Sequence, residues 1–355
     1  MTLEELRAAV DSVDDRILEL LRERAELVEH IGHLKGKTGE PYYVPEREEA
    51  LLRRLSAANR SRLPEPALRA IYREILSGMR ALEQTIKVAY LGPRTTFSHQ
   101  AAGRHFGSAV QLVPEKSIGD VFEAVERGRA HYGVVPIENS LEGAVGATLD
   151  RLADTDARVC AQIFLPVDLN LLGHGPLGAI RKVYSHPQPF GQARRWLTEH
   201  LSSAECVEVA STARAAELAA GEEGAAAIAG CMAGEEHGLA VLAPSIQDAA
   251  TNVTRFFVMG KKSAGPSGND KTSVMFVVKD QPGALVRALE PFQRAGISLS
   301  RIESRPSKRR PWEYYFFADF SGHASEPGVA GALEELARVC SFTRILGSYP
   351  DTPAA

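Results

Sequence analysis

The sequence predicts three units of different class in one chain of 355 residues: an all-α helical unit, a two-lobed α/β unit with a central cleft, and an α+β unit of ferredoxin-like order. Three changes of rhythm predict this. Apolar residues recur at alternating steps of three and four through 3–34. Short β-rich runs then alternate with helical patterns from 86 to about 262. A Ser/Gly/Pro-rich linker at 263–269 is followed by a strand–helix–strand–strand–helix–strand order. The expected domain limits are 1–85, 86–262 and 271–350.

In the helical unit, Leu3, Leu6, Val10, Val13, Ile17, Leu20, Leu27, Ile31 and Leu34 form a heptad seam, which implies helix-on-helix packing. Position 24 falls in that seam but is Arg24. A buried guanidinium is costly unless an anion meets it. A second helix starts at Pro45 and ends before Pro64, with Arg47 one turn before Leu51 on its apolar face. A third, over about 65–85, carries Leu68, Ile71, Ile75, Met79 and Leu82, with Glu83 one turn beyond Met79. Each helix therefore points a charge at its own core. The first helix is about 48 Å long at ~1.5 Å per residue. Two shorter helices cannot cover it, so an intertwined homodimer is expected, with further pairing to a tetramer left open. The competing reading is a charge-laced coiled-coil dimerisation module.

In the α/β unit, runs at 87–91, 110–113, 132–137, 159–165, 168–172, 183–185, 207–209, 226–229 and 255–259 read as strands, with helices at 117–127, 141–152 and 212–219. Open, mostly parallel sheets are expected, with ligand in the crevice beyond the carboxyl ends of the strands. Polar motifs sit at those ends. Asn252-Val253-Thr254-Arg255-Phe256 brings an amide, a hydroxyl and a guanidinium to the edge of an apolar strand. There is no GxGxxG or GxxxxGK[ST] motif, which disfavours nucleotides. His186, followed by a proline, reads as a turn residue rather than a catalytic base.

A net charge of −4 gives no footprint for nucleic acid or an anionic membrane. No apolar run is long enough to span a bilayer. The acidic start Met1–Glu5 is unlike a signal peptide, and Cys160, Cys206, Cys231 and Cys340 form no CxxC pair; a cytoplasmic protein with reduced thiols is expected. The ten histidines lack metal-ligand spacing, so neither metal nor cofactor is expected.

Taken jointly, Gly92-Pro93, Thr96-Phe97-Ser98, Pro136-Ile137-Glu138-Asn139-Ser140, Ser185-His186-Pro187-Gln188 and Asn252–Phe256 resemble prephenate dehydratase. The N-terminal unit resembles the all-helical chorismate mutase and the C-terminal unit the ACT regulatory domain. Their order resembles the bifunctional chorismate mutase–prephenate dehydratase of phenylalanine biosynthesis. The resemblance implies chorismate and prephenate as substrates and L-phenylalanine as a feedback inhibitor.

It also implies roles. Arg7, Arg24, Lys35 and Arg47 would hold the carboxylates and ether oxygen of chorismate, with Arg7 reaching the partner subunit's site. Glu48 would accept the substrate hydroxyl, and Glu83 would donate to the ether oxygen, which requires it protonated. Mutase activity is then expected to fall as pH rises. Val44 departs from an Asp of some relatives. In the dehydratase unit Thr254 would be the catalytic donor, with Glu138, Asn139, Ser185 and Gln192 around it and Thr96, Ser98 and Arg255 binding substrate; Arg255 could equally brace the cleft. Thr95 stands where a Gly is usual and Ala193 where some relatives have Cys. Gly283-Ala284-Leu285 and Glu303-Ser304-Arg305-Pro306 would bind phenylalanine at a subunit interface. Lys308-Arg309-Arg310 reads as a solvated hairpin tip. Two rival readings stand beside this one: a non-catalytic two-lobed anion-binding sensor, and a dehydratase whose helical unit only dimerises.

Overall fold

The computed structural model describes residues 1–38, 40–249 and 251–352. The helical unit comprises α1 (Leu3–Thr38), α2 (Pro45–Ala58) and α3 (Glu65–Glu83). Glu4 and Glu5 in the first turn of α1 and Lys35 and Lys37 in its last complement the helix dipole. Pro45 opens α2, where its missing N–H costs nothing. The partly buried face of α1 is Leu21, Arg24, Ala25, Val28, Gly32 and Lys35. At Gly32 a Cβ would stand 3.1 Å from Cγ of Glu83, so this glycine permits the close crossing of α1 and α3. The seam expected to pack on neighbouring helices does not do so within one chain. Leu3, Leu6, Val10, Val13, Ile17, Leu20, Leu27 and Leu34 are exposed, and no residue of α1 is buried.

The first α/β lobe runs β1 (Lys87–Leu91), α4 (Phe97–Phe106), β2 (Gln111–Glu115), α5 (Ile118–Glu126), β3 (Tyr132–Asn139), β4 (Gly143–Ala144), α6 (Gly146–Asp154) and β5 (Arg158–Pro166). The chain then builds the second lobe: β6 (Asn170–Gly173), β7 (Lys182–Ser185), α7 (Pro187–Gln192), α8 (Arg194–His200), β8 (Glu205–Glu208), α9 (Thr212–Ala220), β9 (Ala225–Ala229), α10 (Cys231–His237) and β10 (Ala240–Ala243). It returns to the first sheet as β11 (Val253–Gly260). The strand orders are β2-β1-β3-β11-β5, with β4 on β3, and β10-β6-β9-β7-β8.

Two expectations need correction. The sheets are mixed rather than mostly parallel: β11 runs antiparallel to both β3 and β5, and β6 runs antiparallel to both β9 and β10. A strand that re-enters a sheet from the other lobe must come from the opposite direction. The segment 141–152 is not one helix. Gly143 sits at φ +79° beside a two-residue strand, and the helix begins only at Gly146. The two crossings between lobes are tied by Val167 N–H donating to the Asn252 carbonyl at 2.8 Å.

The last unit is β12 (Asp270–Val277), α11 (Ala284–Arg294), β13 (Leu299–Pro306), β14 (Tyr314–Ser321), α12 (Pro327–Val339) and β15 (Phe342–Pro350). Its sheet, β13-β14-β12-β15, is fully antiparallel, as the βαββαβ order predicts. One face packs on α11 and α12 through Val274, Phe276, Ala288, Phe292, Phe320 and Leu336. The other face shares one core with the first lobe, where Met275, Phe317, Leu346 and Tyr349 meet Val135, Ile137, Phe257 and Met259. The backbones come close at Gly347, whose added Cβ would lie 2.1 Å from the Val159 carbonyl oxygen. Backbone cannot yield as a flexible side chain does. Gly347→Ala is expected to cost about 1–3 kcal/mol or more, read as a lower urea midpoint at unchanged m-value.

Candidate functional site

The strand register decides what the cleft contains. Thr254 of β11 pairs with Asn139 of β3, and Arg255 pairs with Glu138. Side chains alternate across a sheet, so the two pairs face opposite ways. The Asn139 amide Nδ2 donates to Thr254 Oγ1 at 2.9 Å and to Asn252 Oδ1 at 2.8 Å. Asn252 Nδ2 in turn donates to Gln192 Oε1 at 2.8 Å, across to the second lobe. Ser140 Oγ caps the same corner, accepting from Val253 N–H at 3.0 Å and donating to the Thr251 carbonyl at 2.7 Å. A chain of amides therefore runs from lobe to lobe and ends on the Thr254 hydroxyl. Because Oγ1 is the acceptor in that bond, its own proton is free to be donated.

Other expected cleft residues are placed differently. Glu138 and Arg255 turn to the far face, toward the C-terminal sheet. The register shift opposite Arg255 and Phe256 leaves Ile137 as an extra residue in β3, and this bulge re-aims Glu138. Arg255 donates to Asp319 Oδ2 at 2.6 Å, Tyr349 OH at 3.0 Å and Gln162 Oε1 at 3.0 Å. Each of its three nitrogens makes one of these bonds, on the face away from Thr254. Ser185 is wholly buried and donates to the Ile228 carbonyl at 2.9 Å, so it braces the second lobe. Thr96 caps α4: its hydroxyl accepts from His99 N–H at 3.3 Å and donates toward the carbonyls of Leu91 and Pro93, each at 3.1 Å. Ser98 lies buried in the first turn of α4. His186 caps α7. Thr95 adopts φ +64°, the left-handed conformation that a β-branched residue resists and glycine accepts.

In the helical unit, Lys35 Nζ donates to Glu83 Oε2 at 3.0 Å and lies 5.8 Å from the Tyr42 ring centroid. Arg24 stands among Tyr72, Glu48, Arg47 and Glu83; burial is the main influence on its guanidinium and holds it below its usual range. Arg24 Nη1 is buried without a hydrogen-bond partner among the described residues. A cation with an unfilled donor is what an incoming carboxylate or ether oxygen requires. Burial likewise pushes the Glu48 carboxyl up, against the opposing pull of Arg80, Lys35 and Arg24. Arg80 was not singled out from the sequence. It pairs with Glu48 and also donates to the Phe106 carbonyl at 2.5 Å, at the C-terminus of α4. Arg7 is not brought to this group within one chain; it lies roughly 26 Å along α1 from Arg24.

The two segments expected to bind phenylalanine converge. On β14, Phe316 pairs with Phe276 on one side and Ser304 on the other. The loop ending at Gly283 and the Glu303–Pro306 segment therefore share one end of the sheet. Gly283 has φ +76° and opens α11, with Ala284 and Leu285 in its first turn. Arg305 is committed elsewhere. It donates to Asp150 of α6 at 2.7 and 2.9 Å, and Lys308 joins at 2.8 Å, so Arg305 is held against α6 while Lys308, Arg309 and Arg310 at the hairpin tip stay exposed. Arg305 foremost, and Lys308, hold the Asp150 carboxyl down to about 2 from an ordinary 3.8. The stability from this contact is present above pH ~4 and lost as pH falls toward ~2. Asp150→Asn should remove that part of the acid dependence, about 1 kcal/mol or less after solvent screening, as followed by urea unfolding at pH 2 to 5.

Comparison with known proteins gives three family matches: prephenate dehydratase over residues 88–264, chorismate mutase type II over 6–84, and ACT domain over 272–338. The chain is 46% identical over 353 residues to a bifunctional chorismate mutase/prephenate dehydratase of Aquifex aeolicus, covering 98% of both. It is 44% identical to that of Neisseria gonorrhoeae, again with 98% of each covered. The crystal structure of a prephenate dehydratase from Arthrobacter aurescens in complex with L-Phe matches 76% of this chain and 92% of its own, at 36% identity and a TM-score of 0.70.

Proposed function

The chain belongs to the family of bifunctional chorismate mutase/prephenate dehydratases, and on that premise we propose that Arg24 and Thr254 carry its two reactions. The enzyme rearranges chorismate to prephenate and converts prephenate to phenylpyruvate. Neither the anion-binding sensor nor the inactive dimeriser is favoured by these relatives.

The mutase step needs no bond to protein. It needs the reactive conformer held and charge stabilised on the breaking C–O bond. The open Nη1 of Arg24 supports its contact with the substrate, beside Lys35, Arg47 and Glu48. Glu83, paired with Lys35, would donate to the ether oxygen once protonated. Glu83→Gln is expected to keep mutase turnover, because the amide can donate where a protonated carboxyl would, while Glu83→Ala is expected to lose it; equal losses in the two variants would exclude the role.

In the dehydratase step the bond from the ring to one carboxylate breaks and CO₂ departs. The electron pair enters the ring, and the ring hydroxyl leaves as water on taking a proton. The observation that carries the assignment is the Asn139-to-Thr254 hydrogen bond, which leaves the Thr254 proton pointing onward. Asn139, Asn252 and Gln192 orient that hydroxyl. Turnover of prephenate by Thr254→Ala, set against wild type, tests this directly.

The exposed seam of α1 supports a homodimer in which a second copy covers it, bringing Arg7 to the partner's Arg24 group. The ACT domain supports inhibition by L-phenylalanine bound near Gly283 and Ser304. The four cysteines are unpaired, which suits the cytoplasm.

A further inference from the structure

The opposite face of the Asn139–Thr254 pair is held by a charge cluster drawn from two domains, buried except at Glu138. Glu138 and Arg255, alternating with the reacting pair on β3 and β11, meet Arg301 of β13 and Asp319 of β14. Arg301 and Asp319 are themselves cross-strand partners. Asp319 is 2% exposed and binds Arg255 at 2.6 Å through Oδ2, while Ser273 Oγ donates to its Oδ1 at 2.5 Å. The Arg301 side chain is 7% exposed and its Nε lies 3.3 Å from Glu138 Oε2. Arg301 Nε and Nη2 make no well-aligned hydrogen bond among the described residues. Burying an arginine in this way, with Glu138 as its nearest anion, is costly for stability alone.

We propose that Arg301 and Asp319, residues of the C-terminal sheet, are positioning residues for the dehydratase reaction. They hold Glu138 and Arg255 from behind and so set the height of β3 and β11, where the Asn139–Thr254 hydrogen bond forms on the front. A shift of about 1 Å in a reacting group can cost ~10²-fold in rate, and a buried pair with one partner removed relaxes by moving. Neither residue touches the substrate. The cluster also gives the regulatory domain a mechanical hold on Thr254. The inference rests on the dehydratase reading above.

The test uses the full-length enzyme with prephenate and, in the same preparation, chorismate. Arg301→Met should lower kcat for phenylpyruvate at least ~10-fold with KM within ~3-fold, because orientation rather than binding is lost, while mutase turnover stays at the wild-type rate. Glu138→Gln should act the same way. The double variant should lose no more than the worse single one, as coupled residues do. A kcat for Arg301→Met within ~2-fold of wild type, or multiplied losses in the double variant, overturns the proposal. If Arg301→Met loses mutase turnover as well, Glu138→Gln decides, since its carboxylate is partly exposed and the fold survives: a kcat within ~2-fold of wild type overturns the proposal, and a ~10-fold loss at unchanged KM upholds it. Wild-type enzyme that leaves prephenate unconverted would instead sink the parent reading.

Discussion

Thr254→Ala is expected to lower phenylpyruvate formation by roughly 10²–10⁴-fold, the range a positioned proton donor contributes, and to leave chorismate rearrangement at its wild-type rate. The first half follows from geometry. Among the described residues, Thr254 is the hydroxyl on which the Gln192–Asn252–Asn139 amide chain ends, and it enters that chain as acceptor. The second half follows from the fold: the Arg24 group is built from α1, α2 and α3, none of which supplies a side chain to the cleft. Stability should change little, because the lost methyl and hydroxyl lie at the partly exposed start of β11. Thr254→Ser should retain a substantial part of the rate, since the donor survives. Near-normal dehydratase rates in the alanine variant would remove Thr254 from the chemistry.

Arg24→Ala is expected to reduce mutase kcat/KM by roughly 10²–10³-fold, as loss of one preorganised electrostatic donor does elsewhere. Added prephenate should still be converted at the wild-type rate. Arg24 Nη1 finds no acceptor among the described residues. Burial is the largest cost on its guanidinium, ahead of the attraction of Tyr72 and Glu48 and the repulsion of Arg47, so Arg24→Ala relieves that cost. The variant should melt no lower than wild type. A mutase rate within twofold of wild type, an explicit threshold of about 0.4 kcal/mol in transition-state energy, would reduce the helical unit to a dimeriser.

Much of this was legible in the sequence because it is local. The long first helix, the βαββαβ order and the strand that begins in the Asn252–Phe256 stretch are patterns within one segment, and each element lies where its pattern placed it. What was not legible depends on pairing between distant segments. Arg255 follows Thr254 directly, and only the register of β11 on β3 shows that the two face apart. The bulge at Ile137 shifts Glu138 by one face, and no residue there announces it. Nothing in the sequence singles out Arg80, Arg301 and Asp319; their roles show only when Phe106, Glu138 and Arg255 are brought to them. Thr96 and Ser185 carry the right chemistry for a cleft but spend it on backbone groups. The antiparallel entry of β11 likewise follows from a lobe crossing that strand-by-strand reading does not reveal.

The central claim is that one chain performs two consecutive reactions at two separate sites. The most direct test supplies purified wild-type enzyme with chorismate and follows prephenate and phenylpyruvate together in time. The account predicts that prephenate rises first and phenylpyruvate follows, with Arg24→Ala stopping the first and Thr254→Ala trapping the chain of reactions at prephenate. Failure to form prephenate from chorismate, or failure to convert added prephenate, would contradict it.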